Sequence, residues 1–314
     1  MTLLLIDGNG LFHRAFHSTK ANPQYRADGL PVAAIGEFLS HVWWCLGNVG
    51  KPQMATHGAV IFDAPGRNWR HAILDTYKTG RRHDDAIAPQ LRLCREIVTR
   101  LGLRAVQQRG YEADDLIATY TRLAEEAGMA TCIITVDKDM MCLIRPGVVI
   151  YNPMKNAMLG EADVVEKFGV QPCQVTDVQA LSGDAVDGIS GVPGIGEKTA
   201  ADLIDRYGDL ETLLTRAGEI RQPKLRERLI GGADLARQSY RLARLDDAVP
   251  VRLQVDELPV GPIDAPGLLS DLKALEIVQF ARRFAYPFGL RADDALASAE
   301  ILELAAEQMQ WMAA

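Results

Sequence analysis

Three short apolar runs, each stopping at an aspartate, constrain this chain's fold more than any other feature. Leu3-Leu4-Leu5-Ile6 stops at Asp7, Ala59-Val60-Ile61-Phe62 at Asp63, and Cys132-Ile133-Ile134-Thr135-Val136 at Asp137. Continuous apolar runs of this length suit strands buried on both faces, as in a parallel sheet covered by helices. Helical patterns separate them, at Ala34 to Leu46, Pro89 to Leu101 and Glu112 to Ala127. The alternation predicts an α/β fold with a mostly parallel central sheet flanked by helices. Ligands of such sheets bind beyond the carboxyl ends of the strands, so three carboxylates fall at the expected site. One strand-ending aspartate reads as a helix cap, whereas three together point to a site.

After about Asn152 the texture changes. Val164 to Ile204 is rich in Gly, Asp and Pro, Arg221 to Leu245 reads as helices, and Val249 to Pro262 as an extended connector. Leu268 to Phe284 returns to helical spacing, and Asp293 to Ala314 reads as an amphipathic or frayed helix. The longest mostly apolar run is Met129 to Val136, far short of the roughly 18 residues of a membrane span. The start, MTLLLID, lacks a basic segment and a cleavage site and is not read as a signal peptide. The five cysteines form no CxxC pair, which argues against a zinc ribbon or disulfide framework and for a reducing cytoplasm. His13 and His17, four apart, lack a third ligand of their kind and read as packing residues, and Trp43-Trp44 reads as core.

The acids form the main constellation. Glu112, Asp114 and Asp115 open a helix, with Glu112 and Asp115 on one face. Asp137 and Asp139 follow a strand, and Asp184 and Asp187 lie three apart; Asp7 and Asp63 bring the set to nine. Carboxylates converging without partners repel and raise each other's pKa. Hard divalent cations resolve this, and an oxygen-only donor set suits magnesium or manganese. Two such ions stabilise the attacking and leaving oxygens of phosphoryl transfer. The same acids explain the net charge of -7: with the nine set aside, the rest of the chain carries +2. Basic residues concentrate in two runs, Arg67 to Arg82 and Arg221 to Arg244, so the acidic total does not exclude a nucleic-acid partner.

Gly191-Val192-Pro193-Gly194-Ile195-Gly196-Glu197-Lys198 has the character of the turn in a helix-hairpin-helix. Its glycines allow close approach, and turn and helix N–H groups then face a phosphate without reading a base. A P-loop would need glycine directly before Lys198, where Glu197 stands. Arg70, Leu74, Tyr77, Lys78 and Arg81 fall along one stripe at helical spacing, able to hold a phosphate and stack a base on Tyr77.

Five stretches, LLLIDGNGLFHRAFHS (3–18), AVIFDAPGRNWRHAILDTYKTGRR (59–82), GYEADDLIATYTRLAEEAG (110–128), TVDKDMMCLI (135–144) and LSGDAVDGISGVPGIGEKTAADLI (181–204), together resemble the structure-specific 5'-nuclease (flap endonuclease) family. That family includes the 5'-to-3' exonuclease domain of bacterial DNA polymerase I and stand-alone bacteriophage flap endonucleases. The likeness runs over roughly residues 3 to 285. It implies a PIN-like nuclease core over 1–170 with a helical arch around 70–95, a helix-hairpin-helix DNA-binding region over 171–250, and C-terminal helices over 251–314 that pack on the core. Asp7, Asp63, Glu112 and Asp114 match one metal group, and Asp115, Asp137, Asp139, Asp184 and Asp187 the other, with Asp114 shared. Lys78 and Arg81 match residues that polarise the scissile phosphate, Arg14 and Arg70 match basic residues beside the cleaved strand, and Tyr77 matches a stacking residue. Gly194, Ile195, Gly196 and Lys198 match the duplex-gripping hairpin, which implies a potassium ion there.

The implied activity is Mg2+- or Mn2+-dependent hydrolysis of 5'-flapped, nicked or 5'-ended duplex DNA, extending to RNA–DNA hybrids, by a monomer working beside a separate DNA polymerase in replication and repair. No membrane is implied. The family usually carries Asp-Asn-Ile-Pro-Gly where this chain has Asp187-Gly188-Ile189-Ser190-Gly191, which puts the order of that loop in question. A related RNA-cutting nuclease would not need the hairpin, and a non-catalytic DNA-binding scaffold would have lost carboxylates that are all present here.

Overall fold

The computed structural model describes residues 1–49, 55–80 and 84–285. The apolar runs form strands β1 (Thr2–Asp7), β2 (His57–Ile61) and, after β3 (Arg104–Val106), β4 (Ala130–Ile134). With β5 (Val148–Asn152) and β6 (Ala157–Leu159) they make one sheet of order β3-β2-β1-β4-β5-β6. All pairings are parallel except β5 with β6. Leu3 lies opposite His57 on one side and Thr131 on the other, so β1 is central. The order of strands along the chain reverses between β1 and β4, and ligands of open α/β sheets bind at the carboxyl end of such a reversal. Asp7 and Asp137 stand there.

Alternate side chains of the buried strands feed two cores, as a repeat of two requires. Leu3, Leu5, Ala59, Ile61 and Ile133 face one; Leu4, Ile6, Val60, Phe62, Cys132 and Ile134 face the other. The second core is closed by α1 (Gly8–Thr19), α2 (Ala33–Asn48) and α3 (Ile87–Ile97). The first is closed by α4 (Ala113–Glu126), α5 (Glu161–Phe168), α6 (Val175–Ser182), α7 (Glu197–Tyr207), α8 (Leu210–Thr215), α9 (Pro223–Gly231) and α10 (Ala233–Ala243). The chain then crosses back, and α11 (Ala265–Ala274) and α12 (Val278–Ala285) join the second core. Phe280 and Phe284 meet Trp43 edge-on. Trp44 departs from its expected core role: it is 41% exposed, with its ring stacked on Tyr151.

Two expectations change. The segment from Arg70 to Gly80 is no helix: a short 3-10 turn at Trp69–Ala72 leads into successive turns. The described members of the stripe drawn at helical spacing, Arg70, Leu74, Tyr77 and Lys78, therefore do not lie along a helix face. Ile73, Leu74 and Tyr77 of this segment pack against Ile189 and Leu242, and part of the expected arch, residues 81–83, lies outside the described residues. The Val249 to Pro262 connector is broken by a 3-10 turn at Val255–Glu257. No helix among the described residues is long and apolar enough to cross a membrane.

Candidate active site

Each strand-ending aspartate does local work as well as facing the site. Asp7 caps α1, its Oδ1 accepting from the Gly10 N–H at 2.8 Å, while Oδ2 accepts from the Thr135 hydroxyl at 2.8 Å. A Cβ on Gly10 would collide with the Asp7 carboxylate, so this approach of helix to acid requires glycine. The Asp63 N–H donates to Asn9, and its Oδ1 accepts from the Ala113 N–H at 2.7 Å, pinning the start of α4 to the end of β2. Asp137 Oδ1 accepts from the Asp139 N–H. Capping and site reading are thus not alternatives: each of these acids sets local backbone and also feels the neighbouring carboxylates.

The acids then crowd one another. Burial above all, with Asp137 and Asp63 adding repulsion, raises the Asp7 carboxyl to about 6 against the pull of Gly10 and Thr135. Burial, then Asp137, Asp184 and Asp187, raise Asp139 to about 7. Asp114 is pushed well above the carboxylate range by burial first, then by Asp137, Asp7 and Asp63, with Lys78 opposing. These mutual effects tie Asp7, Asp63, Asp114, Asp137, Asp139, Asp184 and Asp187 into one field. A cleft of about 30 Å³ lies among Asp114, Asp139, Asp184 and Asp187, room for a water-sized body and not for a base. A wider cleft of about 680 Å³, lined by Asp177, Leu210, Arg237 and Tyr240, lies apart from this field.

Among the described residues no three His, Cys, Asp or Glu side chains converge closely enough to enclose an ion. A closed zinc site needs such convergence. Magnesium does not: it is usually held by one or two carboxylates, with waters and substrate phosphates completing its shell. The spread, oxygen-only set fits an ion of the latter kind.

Glu112 and Asp115, also expected as metal ligands, are held by basic side chains and backbone N–H groups. Asp115 is fully buried, and its oxygens accept from both terminal nitrogens of Arg70, from Trp69 Nε1 and from the Glu112 and Asp246 N–H groups. Glu112 accepts from Arg70, from the Tyr77 hydroxyl at 3.0 Å and from Lys78 Nζ at 2.7 Å. Arg70 and Tyr77, each 2% exposed, line the small acidic cleft with Glu112 and are buried rather than set out on the surface. Burial, then Glu112, pushes the Tyr77 phenol upward, so it serves as a donor. Lys78 Nζ also lies 3.4 Å from Asp187. Its backbone has φ 56, a left-handed conformation rare outside glycine, and its N–H donates to the Asp187 carbonyl. Backbone strain of this sort collects where a side chain must be aimed.

Arg14 is tied to His41 and Met154, beside the β5–β6 turn rather than among the acids. Arg81 lies outside the described residues. Thr135, Asn9 and Gln179, whose amide donates to Asp139, hold the acids in place and were missed from sequence; Asn9 and Thr135 each lie two residues from a candidate acid, the one signal available. The unusual loop is ordered: Asp184 and Ile189 exchange both backbone hydrogen bonds, at 2.8 and 2.7 Å, and Gly188 takes φ 75. Asparagine and glycine share tolerance of that conformation, so the substitution keeps the turn.

Gly194 has φ 80 at the hairpin, and Arg228 donates to its carbonyl at 3.1 Å. Ile195 is 3% exposed and spends its N–H on Val192, so its part is to anchor the turn. The helix that follows, α7, has no side-chain cap, and uncapped helix N-termini of this kind suit an anion. Gly194→Val is expected to weaken binding of every duplex-containing DNA about equally, whatever its sequence. The branched side chain opposes positive φ and would strike the Arg228 guanidinium. Gel-shift titration on unrelated duplexes checks this, and an effect confined to one sequence contradicts it.

Residues 2–169 match the 5'-3' exonuclease, N-terminal resolvase-like domain, and residues 170–266 the 5'-3' exonuclease, C-terminal SAM fold. DNA polymerase I of Rhizobium leguminosarum is 41% identical over 313 residues, covering 98% of this chain and 30% of the relative. The 5'-3' exonuclease of Aquifex aeolicus is 30% identical over 279 residues, covering 88% of this chain and 92% of that protein. The chain spans about a third of the length of the polymerase I relatives it matches. A crystal structure of the bacteriophage T5 flap endonuclease with DNA and metal ions superposes with TM-score 0.65 at 18% identity, covering 100% of this chain and 99% of that one; at that identity the likeness is one of fold.

Proposed function

The chain belongs to the 5'-3' exonuclease family, and from that premise we propose that it hydrolyses phosphodiester bonds in 5'-flapped, nicked or 5'-ended duplex DNA with Mg2+ or Mn2+, releasing 5'-phosphate products in replication and repair. The observation that carries this reading is the field of seven carboxylates at the sheet's reversal point, with Lys78 at its edge. Bound divalent ions would supply activation of water and neutralisation of charge on the phosphate. Asp7, Asp63, Asp114, Asp137, Asp139, Asp184 and Asp187 would hold the ions, one or two carboxylates to each, with waters and substrate phosphates completing the shell.

The residues of this chain do the rest. Lys78 offers its ammonium to the phosphate oxygens on which charge grows, a stabilisation worth most in the transition state. The hairpin at Gly194 to Lys198 takes the duplex by its backbone and fixes the distance from grip to cut, so the site chosen follows DNA structure rather than sequence. A potassium ion at that hairpin, a DNA polymerase acting on the same substrates, a monomeric state and work in the cytoplasm of a bacterial or phage-infected cell complete the reading. Cleavage of a 5'-labelled flap in Mg2+ tests it, and the length of the released fragment separates stepwise from endonucleolytic action.

A further inference from the structure

Among the described residues, one densely hydrogen-bonded polar cluster is left without a task by the nuclease reading. Arg70 has five N–H donors, and all five are spent. Nε donates to the Leu242 carbonyl, one terminal nitrogen to Glu112 and Asp115, and the other to Asp115 and the Arg244 carbonyl. The guanidinium also lies 4.4 Å over the Trp69 ring. Asp115 accepts five donors in return, more than its four or so lone-pair sites. Nothing is left on Arg70 for a phosphate, or on Asp115 for a cation.

The acceptors come from separate places: the first turn of α4, the last turn of α10 and the residues just after it. One further bond leads outward. Glu112, held on Oε2 by Arg70 and Tyr77, uses Oε1 to hold Lys78. We propose that Arg70 and Asp115 form a positioning hub that fixes Glu112, and through it Lys78, against the end of α10. This inference rests on the nuclease reading, and it removes Arg70 from the DNA contacts and Asp115 from the metal ligands. It also connects the part of the chain bearing the duplex hairpin to the ammonium at the cut, since α10 belongs to the stretch that follows the hairpin.

Arg70→Lys keeps the charge and loses the fork that reaches two carbonyls and a carboxylate. The expected result is flap affinity within about threefold of the parent with an unchanged salt dependence, as for a group that touches no phosphate. Single-turnover cleavage in Mg2+ is expected to fall at least about tenfold, a fraction of what a transition-state donor supplies. The loss is expected to vanish in a Lys78→Ala background, because the hub acts through Lys78 and coupled residues are not additive. Asp115→Asn is expected to keep cleavage and to leave its half-saturating Mg2+ concentration unchanged.

Weakened affinity with a salt slope lower by about one unit would make Arg70 a phosphate contact. A loss that adds in full to Lys78→Ala, or an Asp115→Asn variant that needs more Mg2+, overturns the hub equally. Should Arg70→Lys fail to melt cooperatively, the neutral pair Arg70→Gln with Asp115→Asn avoids an unmatched buried charge and carries the same cycle. A parent protein that does not cut the flap marks failure of the nuclease reading; the salt slope of Arg70→Lys, measured without turnover, then decides the hub by itself.

Discussion

Asp63→Asn and Asp114→Asn lose all detectable cleavage of 5'-flapped DNA in Mg2+, while each binds the flap within a few-fold of the parent protein. The substitutions are mild in shape. At Asp63 the amide oxygen can still accept from the Ala113 N–H that ties α4 to β2, so the frame survives. What goes is charge, and charge is what the site is made of. Asp114 feels Asp137, Asp7 and Asp63 together, which places it at the centre of the field, where a cation neutralises most repulsion. Binding persists because the duplex grip lies around Gly194 and does not use these acids. Single-turnover assays with gel-shift titration in parallel check both halves. Near-normal turnover in either variant removes that residue from the metal site.

Lys78→Ala slows the chemical step by about 10²–10³, the usual loss for one donor aimed at developing charge, with far less change in affinity. Both residues carry a Cβ, so the left-handed backbone at φ 56 is no more strained after the change. Glu112 keeps Arg70 and Tyr77 as partners, so no buried carboxylate is stranded. If Lys78 were one phosphate contact among several, the variant would instead bind more weakly, cut at a nearly normal single-turnover rate and show a salt dependence lower by about one unit. Cleavage at saturating enzyme separates the two, and a rate within about threefold of the parent contradicts a transition-state role.

How far the sequence can be read differs from part to part for physical reasons. Strands β1, β2 and β4 are legible because burial on both faces makes them continuous apolar runs, and the aspartate ending each run is visible by eye. Strand β3 is three residues long with Arg104 exposed, too short and too polar to carry a pattern. The spacing of Glu112 and Asp115 does put them on one face of α4, but that face turns to Arg70, and Asp114, one step round the helix, is the residue that joins the other acids. Nothing local could show this, since the partner carbonyls at Leu242 and Arg244 arrive from more than a hundred residues away. Tyr77 looked free to stack for the same reason: its surroundings, Ile189 and Leu242, belong to distant segments.

The central claim is that the crowded carboxylates exist to hold divalent ions that drive hydrolysis at the junction of a 5' flap. The most direct test incubates the protein with a 5'-labelled flap substrate in Mg2+ and, side by side, in excess EDTA. The account predicts labelled products cut at or near the branch in Mg2+ and an intact substrate in EDTA, with cleavage restored when Mg2+ is added back. An intact flap in Mg2+, or the same products in EDTA, would contradict it.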